Sequence, residues 1–418
     1  MSPNLELPPR SRNLVETSQS RVLVLDGAMG TALQSENLTA EDFGGEALEG
    51  CNENLNLTRP ELIQKIHENY LKAGCDIIET NTFGGTPLVL AEYGLGERAH
   101  EINRRAAEIA RAAATRHSTP EKPRWVAGSI GPTTKSLSVT GGVTFDELVE
   151  HFHCQVQGLA DGGVDYFLIE TCQDTRNIKA ALLALDQLFA ERRQSWPVAV
   201  SATVEANGTL LAGQNVEALA ISLENRKLLY LGLNCATGPE FMTDSIRTLA
   251  RMSPFPVACV PNAGLPDSNG HYLESPEMLA RVVSRFLEEG WLGFVGGCCG
   301  THAGHIEALA RIAARAKPAP QLSRPKSSRL AGIDPLEITD EMRPVLVGER
   351  CNVIGSRKFK TLITEGRWDE AAELARTQVK AGAQIIDVCL ANPDRDEKAD
   401  VIKFLSTAAS RVRAPLMF

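Results

Sequence analysis

The sequence predicts an α/β protein: a (β/α)8 TIM barrel over residues 21–315, then the start of a second (β/α)8 barrel, incomplete, over residues 344–418. Three observations predict this. Eight short β-branched runs alternate with helical stretches, and continuous apolar strands separated by helices imply a parallel sheet covered on both faces. Eight such units in succession imply closure into a barrel. After a Pro-rich break the same rhythm resumes, for two strand–helix units and a third strand.

The eight runs are RVLVLDG (21–27), DIIETN (76–81), RWVAGSIG (124–131), DYFLIET (165–171), PVAVSATV (197–204), LYLGLNC (229–235), PVACVPN (256–262) and GFVGGCC (293–299). The clearest helix spans residues 58–73. Thr58 and Glu61 have the spacing of a capping box, and Pro60 sits in the first turn, where its missing N–H costs nothing. Leu62, Ile66 and Tyr70 form an apolar stripe, and Gly74 ends the helix. Residues 316–343 hold four prolines and little periodicity, which predicts a surface linker. Beyond it, PVLVGER (344–350), a helix near 369–380, AQIIDVCL (383–390) and APLMF (414–418) continue the pattern.

Composition narrows the function. A hydrophobic fraction of 43% suffices for packed cores, and no window is apolar enough to span a bilayer. The first 20 residues are polar and Pro-rich and lack the apolar core of a signal peptide. They predict a disordered leader on a cytoplasmic protein. A net charge of −9 argues against nucleic acid as the main partner. Ten cysteines without a single C-x-x-C point to thiols and metal ligands rather than to zinc ribbons or a disulfide scaffold.

Barrel chemistry gathers at the C-terminal ends of the strands. There the sequence places Asp26, Glu79, Asn81, Glu170, Thr171, Asn234, Cys235, Asn262, Cys298 and Cys299. The ends of strands six and eight stand roughly 10 Å apart, because neighbouring strands are separated by about 4.8 Å. Inward-reaching thiolates with bonds of about 2.3 Å can bridge much of that gap through one zinc ion. The glycines of GGCCG free the backbone to aim both adjacent thiols at it. Three protein ligands leave a fourth position open, as in catalytic zinc sites. An all-sulfur site suits a soft ligand, and a thiol bound there becomes a nucleophile at neutral pH. Cys235, Cys298 and Cys299 are therefore the candidate metal ligands. Cys51, Cys75, Cys154, Cys172 and Cys259 read as structural, and His302 and His305 as residues of the helix after strand eight, with metal ligation as their alternative role.

These motifs are recognisable. LDGAMGT, IIETNTFGG, GSIGPT, LIET, LGLNCATGP, PNAGLP and VGGCCGT resemble, in order, those of the homocysteine-binding domain of methionine synthases. The resemblance implies zinc on Cys235, Cys298 and Cys299. It implies that Asp26 and Glu170 hold the homocysteine amino group, with Thr171 and Asn234 as further pocket residues. VGERCNVIGSRKFK and AGAQIIDVCL resemble the first two strands of the pterin-binding barrel of cobalamin-dependent methionine synthases. This implies pterin contacts at Glu349, Asn352 and Asp387, although Cys389 stands where that family commonly has Asn. No D-x-H-x-x-G occurs, so methylcobalamin is expected on a domain or protein outside this chain. The implied activity is methyl transfer from methylcobalamin, recharged by methyltetrahydrofolate, to homocysteine, giving methionine. Betaine or S-methylmethionine as donor, or a non-catalytic zinc- and thiol-binding module, remain alternatives.

Overall fold

A computed structural model describes residues 5–268, 270–320, 322–323 and 327–418. Eight parallel strands form the first sheet: β1 (Leu23–Val24), β2 (Ile77–Glu79), β3 (Trp125–Ile130), β4 (Tyr166–Cys172), β5 (Val198–Ala202), β6 (Leu231–Asn234), β7 (Val257–Val260) and β8 (Phe294–Val295). Each pairs with its successor from β2 to β8, and β1 pairs with β8. The ring closes between β1 and β2 through a Leu25–Ile77 bridge and an Asp76 N–H donated to Val24 O at 2.7 Å. The predicted barrel is present.

Strand alternation divides its residues between two cores. Leu23, Ile77, Trp125, Tyr166, Leu168, Tyr230 and Phe294 fill the interior. The opposite strand faces pack with the surrounding helices. Tyr166 and Tyr230 pair their hydroxyls at 3.1 Å inside the barrel, so neither phenol is buried without a partner.

The structure corrects three expectations. Part of the leader read as disordered over residues 1–20 is a helix, Pro9–Ser18. Its Leu14 is fully buried against the interior cluster, and Ser11 Oγ donates to Asp165 O at 2.6 Å. The open lower end of the barrel rewards covering, which the local sequence does not announce. Residues 1–4 lie outside the described part. Second, the capping box at Thr58 does not form. The long helix is Pro60–Ala73 with Arg59 at its N-cap, while Thr58 ends a preceding turn and bonds back to Asn54 O. Gly74 does end the helix, in a left-handed conformation.

Third, the linker carries an antiparallel hairpin, β9 (Ser328–Ala331) with β10 (Pro335–Ile338). Arg329 pairs with Glu224, which caps the barrel helix Val216–Leu223. On the other side, Asp334 pairs with Arg413 and donates its N–H to Arg413 O at 3.0 Å. Gly332 must lack a side chain here, since a Cβ would lie 2.5 Å from Arg413 O. The hairpin therefore joins the barrel to the C-terminal unit.

That unit is a parallel three-stranded sheet in the order β11 (Val347–Asn352), β12 (Ile385–Cys389), β13 (Leu416–Met417). Helices Arg357–Thr364, Trp368–Lys380 and Glu397–Ala408 connect its strands. The first of these was not expected from the sequence. Phe359 and Phe404 meet edge to face at 5.4 Å within a small core that includes Cys351, Ile386 and Val388. No helix among the described residues is long and apolar enough to cross a membrane.

Candidate functional site

The site is built on backbone that the barrel holds in uncommon conformations. Thr171, Cys235 and Ala236 have φ of 53°, 63° and 58°. Such left-handed geometry costs a non-glycine residue about 1–3 kcal/mol and persists only where the surroundings enforce it. At β4 the enforcement is visible: the register to β5 shifts between Ile169 and Cys172. A bulge of this kind re-aims side chains, here Glu170 and Thr171. At β6, Cys235 donates its N–H to Val260 O at 3.2 Å, which ties it to β7.

The cysteine pair after β8 is fixed from three sides. Cys298 N–H donates to Pro261 O at 2.8 Å, and Cys299 O accepts from Ala263 N–H at 2.9 Å. Thr301 Oγ1 donates to Cys298 O at 2.7 Å. Gly300, with φ of 77°, turns the chain under the Tyr272 ring; a Cβ there would lie 2.2 Å from that ring. The result brings the sulfurs of Cys235, Cys298 and Cys299 within 4.8 Å of one another. Cys235 and Cys299 are 3.7 Å apart. Sulfurs on a tetrahedral zinc with bonds of about 2.3 Å stand roughly 3.8 Å apart, so the donor set fits that ion. Asn262, between the two backbone ties, has a buried Oδ1 with no partner among the described residues. The thiols are coupled: hydrogen bonding with Cys235 and Cys298 pulls Cys299 down, and hydrogen bonding with Cys235 and Cys299 pushes Cys298 up. His302 and His305 are not in the cluster. His302 caps the helix Ala303–Ala313, and His305 supports the same cap.

Beside the sulfurs lies an acidic, buried wall. Asp26 accepts the Glu79 N–H at 3.1 Å. Glu170 accepts from Ser129 Oγ. Burial pushes Asp26 well above the usual carboxylate range and Glu170 up to about 7, in both cases against the pull of a hydrogen bond. Asn234 and Thr171 bond reciprocally, Thr171 N–H to Asn234 Oδ1 at 3.0 Å and Asn234 Nδ2 to Thr171 Oγ1 at 2.8 Å. Asn234 Nδ2 also reaches Cys298 Sγ at 3.9 Å. The seven candidate residues of the barrel thus stand together. Sequence reasoning placed Glu79 and Asn262 on the rim but gave them no role. Their signal was position alone.

In the C-terminal unit, Asn352 and Asp387 meet at 3.4 Å at the ends of adjacent strands, and Cys389 faces Asn352 in register. Asn352 Oδ1 accepts from Ile354 N–H at 2.9 Å, shaping the turn. Glu349 is exposed on the same strand and pairs with Arg350 at 3.0 Å.

Residues 23–313 match the Homocysteine S-methyltransferase family. The chain belongs to that family. Residues 348–417 match a second family, Pterin binding enzyme. Among solved structures, the metallated form of the homocysteine methyltransferase MmuM from Escherichia coli is 24% identical, with a TM-score of 0.59. The match covers 72% of this chain and 98% of that one. The apo form of the same protein is 22% identical at a TM-score of 0.55, covering 71% of this chain and 97% of that one. These two likenesses establish a shared fold.

Proposed function

We propose that this homocysteine S-methyltransferase transfers a methyl group from methylcobalamin, recharged from methyltetrahydrofolate, to the homocysteine thiol, giving methionine. The observation that carries the reading is the three-sulfur cluster set beside buried carboxylates at one barrel mouth. The pterin-binding match in the same chain supports the donor. Cys235, Cys298 and Cys299 would hold zinc, which would supply a soft-sulfur acceptor that lowers the pKa of the substrate thiol. Asp26 and Glu170 hold the substrate's ammonium group, which fixes the distance from amino group to sulfur. Asn234 and Thr171 brace each other, and Asn234 bonds toward Cys298, so pocket and cluster keep one geometry. The barrel walls exclude water from the attacking sulfur. The substrate sulfur would form a carbon–sulfur bond with the methyl group as the donor–methyl bond breaks, the donor keeping that bond's electron pair, and the thiol proton would leave to solvent. In the C-terminal unit, Glu349, Asn352 and Asp387 are the groups offered to a pterin.

X-ray absorption at the zinc edge tests the site: three sulfurs without homocysteine and four with it. A four-sulfur site before substrate is added defeats the open-position argument. Assays with methylcobalamin, betaine and S-methylmethionine test the donor. Methionine formed only from methylcobalamin supports this reading; turnover with either other donor alone replaces it, and turnover with none favours a binding module.

A further inference from the structure

Glu79 is the acidic residue that the reading above leaves unused. It shares the inward face of β2 with Ile77, two residues away, and Ile77 belongs to the interior core. Its neighbours are acidic from every side that affects it. Asp26, two residues beyond β1, and Glu170 on β4 both push its carboxyl up, after burial itself, and Glu170 in turn feels Cys235. The buried phenols of Tyr166 on β4 and Tyr230, next to β6, feel its charge in turn. No lysine, arginine or histidine pairs with Asp26, Glu79 or Glu170 among the described residues. Asp26 has the Glu79 N–H and Glu170 has Ser129 as partners. The Glu79 carboxyl has no hydrogen-bond partner among the described residues, and it is less buried than the other two. A barrel mouth therefore presents three carboxyls where one substrate ammonium is to sit. One positive charge balances one of them. Carboxylates crowded in a low-dielectric site relieve the rest by keeping protons.

We propose that Glu79 is a third acidic residue of the substrate pocket, and that the trio of Asp26, Glu79 and Glu170 exchanges a carboxyl proton for the substrate's α-ammonium. The proton passes to solvent as the ammonium takes its place, so the charge that binding adds to the pocket is offset. This makes the pocket selective for a free amino group: a ligand without one leaves the proton where it is. The inference rests on the proposed assignment of this pocket to the amino group.

L-methionine is the probe, because it carries the ammonium but no thiol proton to confuse the count. Calorimetry of the full chain at pH 6.5, in buffers of different ionisation enthalpy, reads protons released per methionine bound. The wild type is expected to release a substantial fraction of one proton, and Glu79→Gln clearly less, with affinity weakened roughly tenfold. 4-(Methylthio)butanoate, which lacks the amino group, is expected to release none. Equal proton release by wild type and Glu79→Gln, zero release by wild type, or no methionine binding overturns the proposal. The glutamine is isosteric and removes a crowded charge, so an unchanged melting temperature confirms that the variant is folded. Methyl transfer from methylcobalamin is measured separately. Its failure alongside intact proton exchange sinks the donor assignment and leaves this inference standing.

Discussion

The first barrel and the C-terminal unit use the same strand–helix alternation but reach different ends. In the barrel, closure covers both faces of every strand, and β3, β5, β6 and β7 are buried throughout. In the C-terminal sheet, β11 leaves Val347, Glu349 and Arg350 exposed, and β11 and β13 are edge strands. Parallel strands are stable when both faces are covered, and open edges leave N–H and C=O groups unpaired. The chemistry follows the burial. Glu170 sits among barrel walls that raise its proton affinity, whereas Glu349 stands in solvent beside Arg350. Closure, more than the strand pattern, is what makes a perturbed site.

The largest effect that tests this contrast is at the metal cluster. Cys298→Ala is expected to reduce zinc from about one ion per chain and to lower methyl transfer more than roughly 100-fold. Circular dichroism should show the barrel intact, because the strands pack without the ion. Global unfolding of this variant would mean that the cluster holds the barrel together. Next comes the floor of the barrel. Leu14→Ala removes a fully buried side chain and should destabilise the barrel by about 3 kcal/mol. A loss below about 0.5 kcal/mol in denaturant titration would return the leader to a loose segment.

The third effect is on pH. Under the proposed assignment, Glu170, raised from its ordinary 4.5 to about 7, would bind an ammonium only when ionised. Methionine affinity should therefore rise up to about tenfold per pH unit between pH 6 and 7 and level off above. Stability runs the other way: the folded state holds this proton more tightly than the unfolded one. The contribution is fully present below pH 4.5 and lost as pH rises through 7. A flat affinity profile from pH 6 to 8 counts against the carboxylate wall. The smallest effect is at the hairpin. Arg413→Ala breaks an ion pair whose side chains are 59% and 48% exposed, so about 0.5 kcal/mol is expected. Hydrogen exchange should show that change in β11–β13 amides, which are expected to exchange before those of β3–β6. Equal protection in the two sheets would erase the contrast between them.

The sequence by itself determined the barrel, because eight apolar runs at strand length and the helices between them admit few other arrangements. It also determined the sulfur cluster. GLNC and GGCCG place three thiols at strand ends, and parallel closure puts all strand ends on one rim. The same rule put Asp26, Glu170, Thr171 and Asn234 on that rim, and the family resemblance singled them out. Only tertiary structure decided the rest. Leu14 becomes a core residue because a closed barrel has a lower end to cover, and the apolar residues flanking it are too few to announce a helix. The hairpin at Ser328–Ile338 forms because two separate surfaces receive it, Glu224 on one side and Arg413 on the other. Glu79 looked like one rim carboxylate among several. Its place beside Asp26 and Glu170 depends on side-chain direction and on the bulge in β4, and neither is written in local sequence. A strand pattern specifies which residues face inward; which of them meet depends on closure, because closure sets the distances across the barrel.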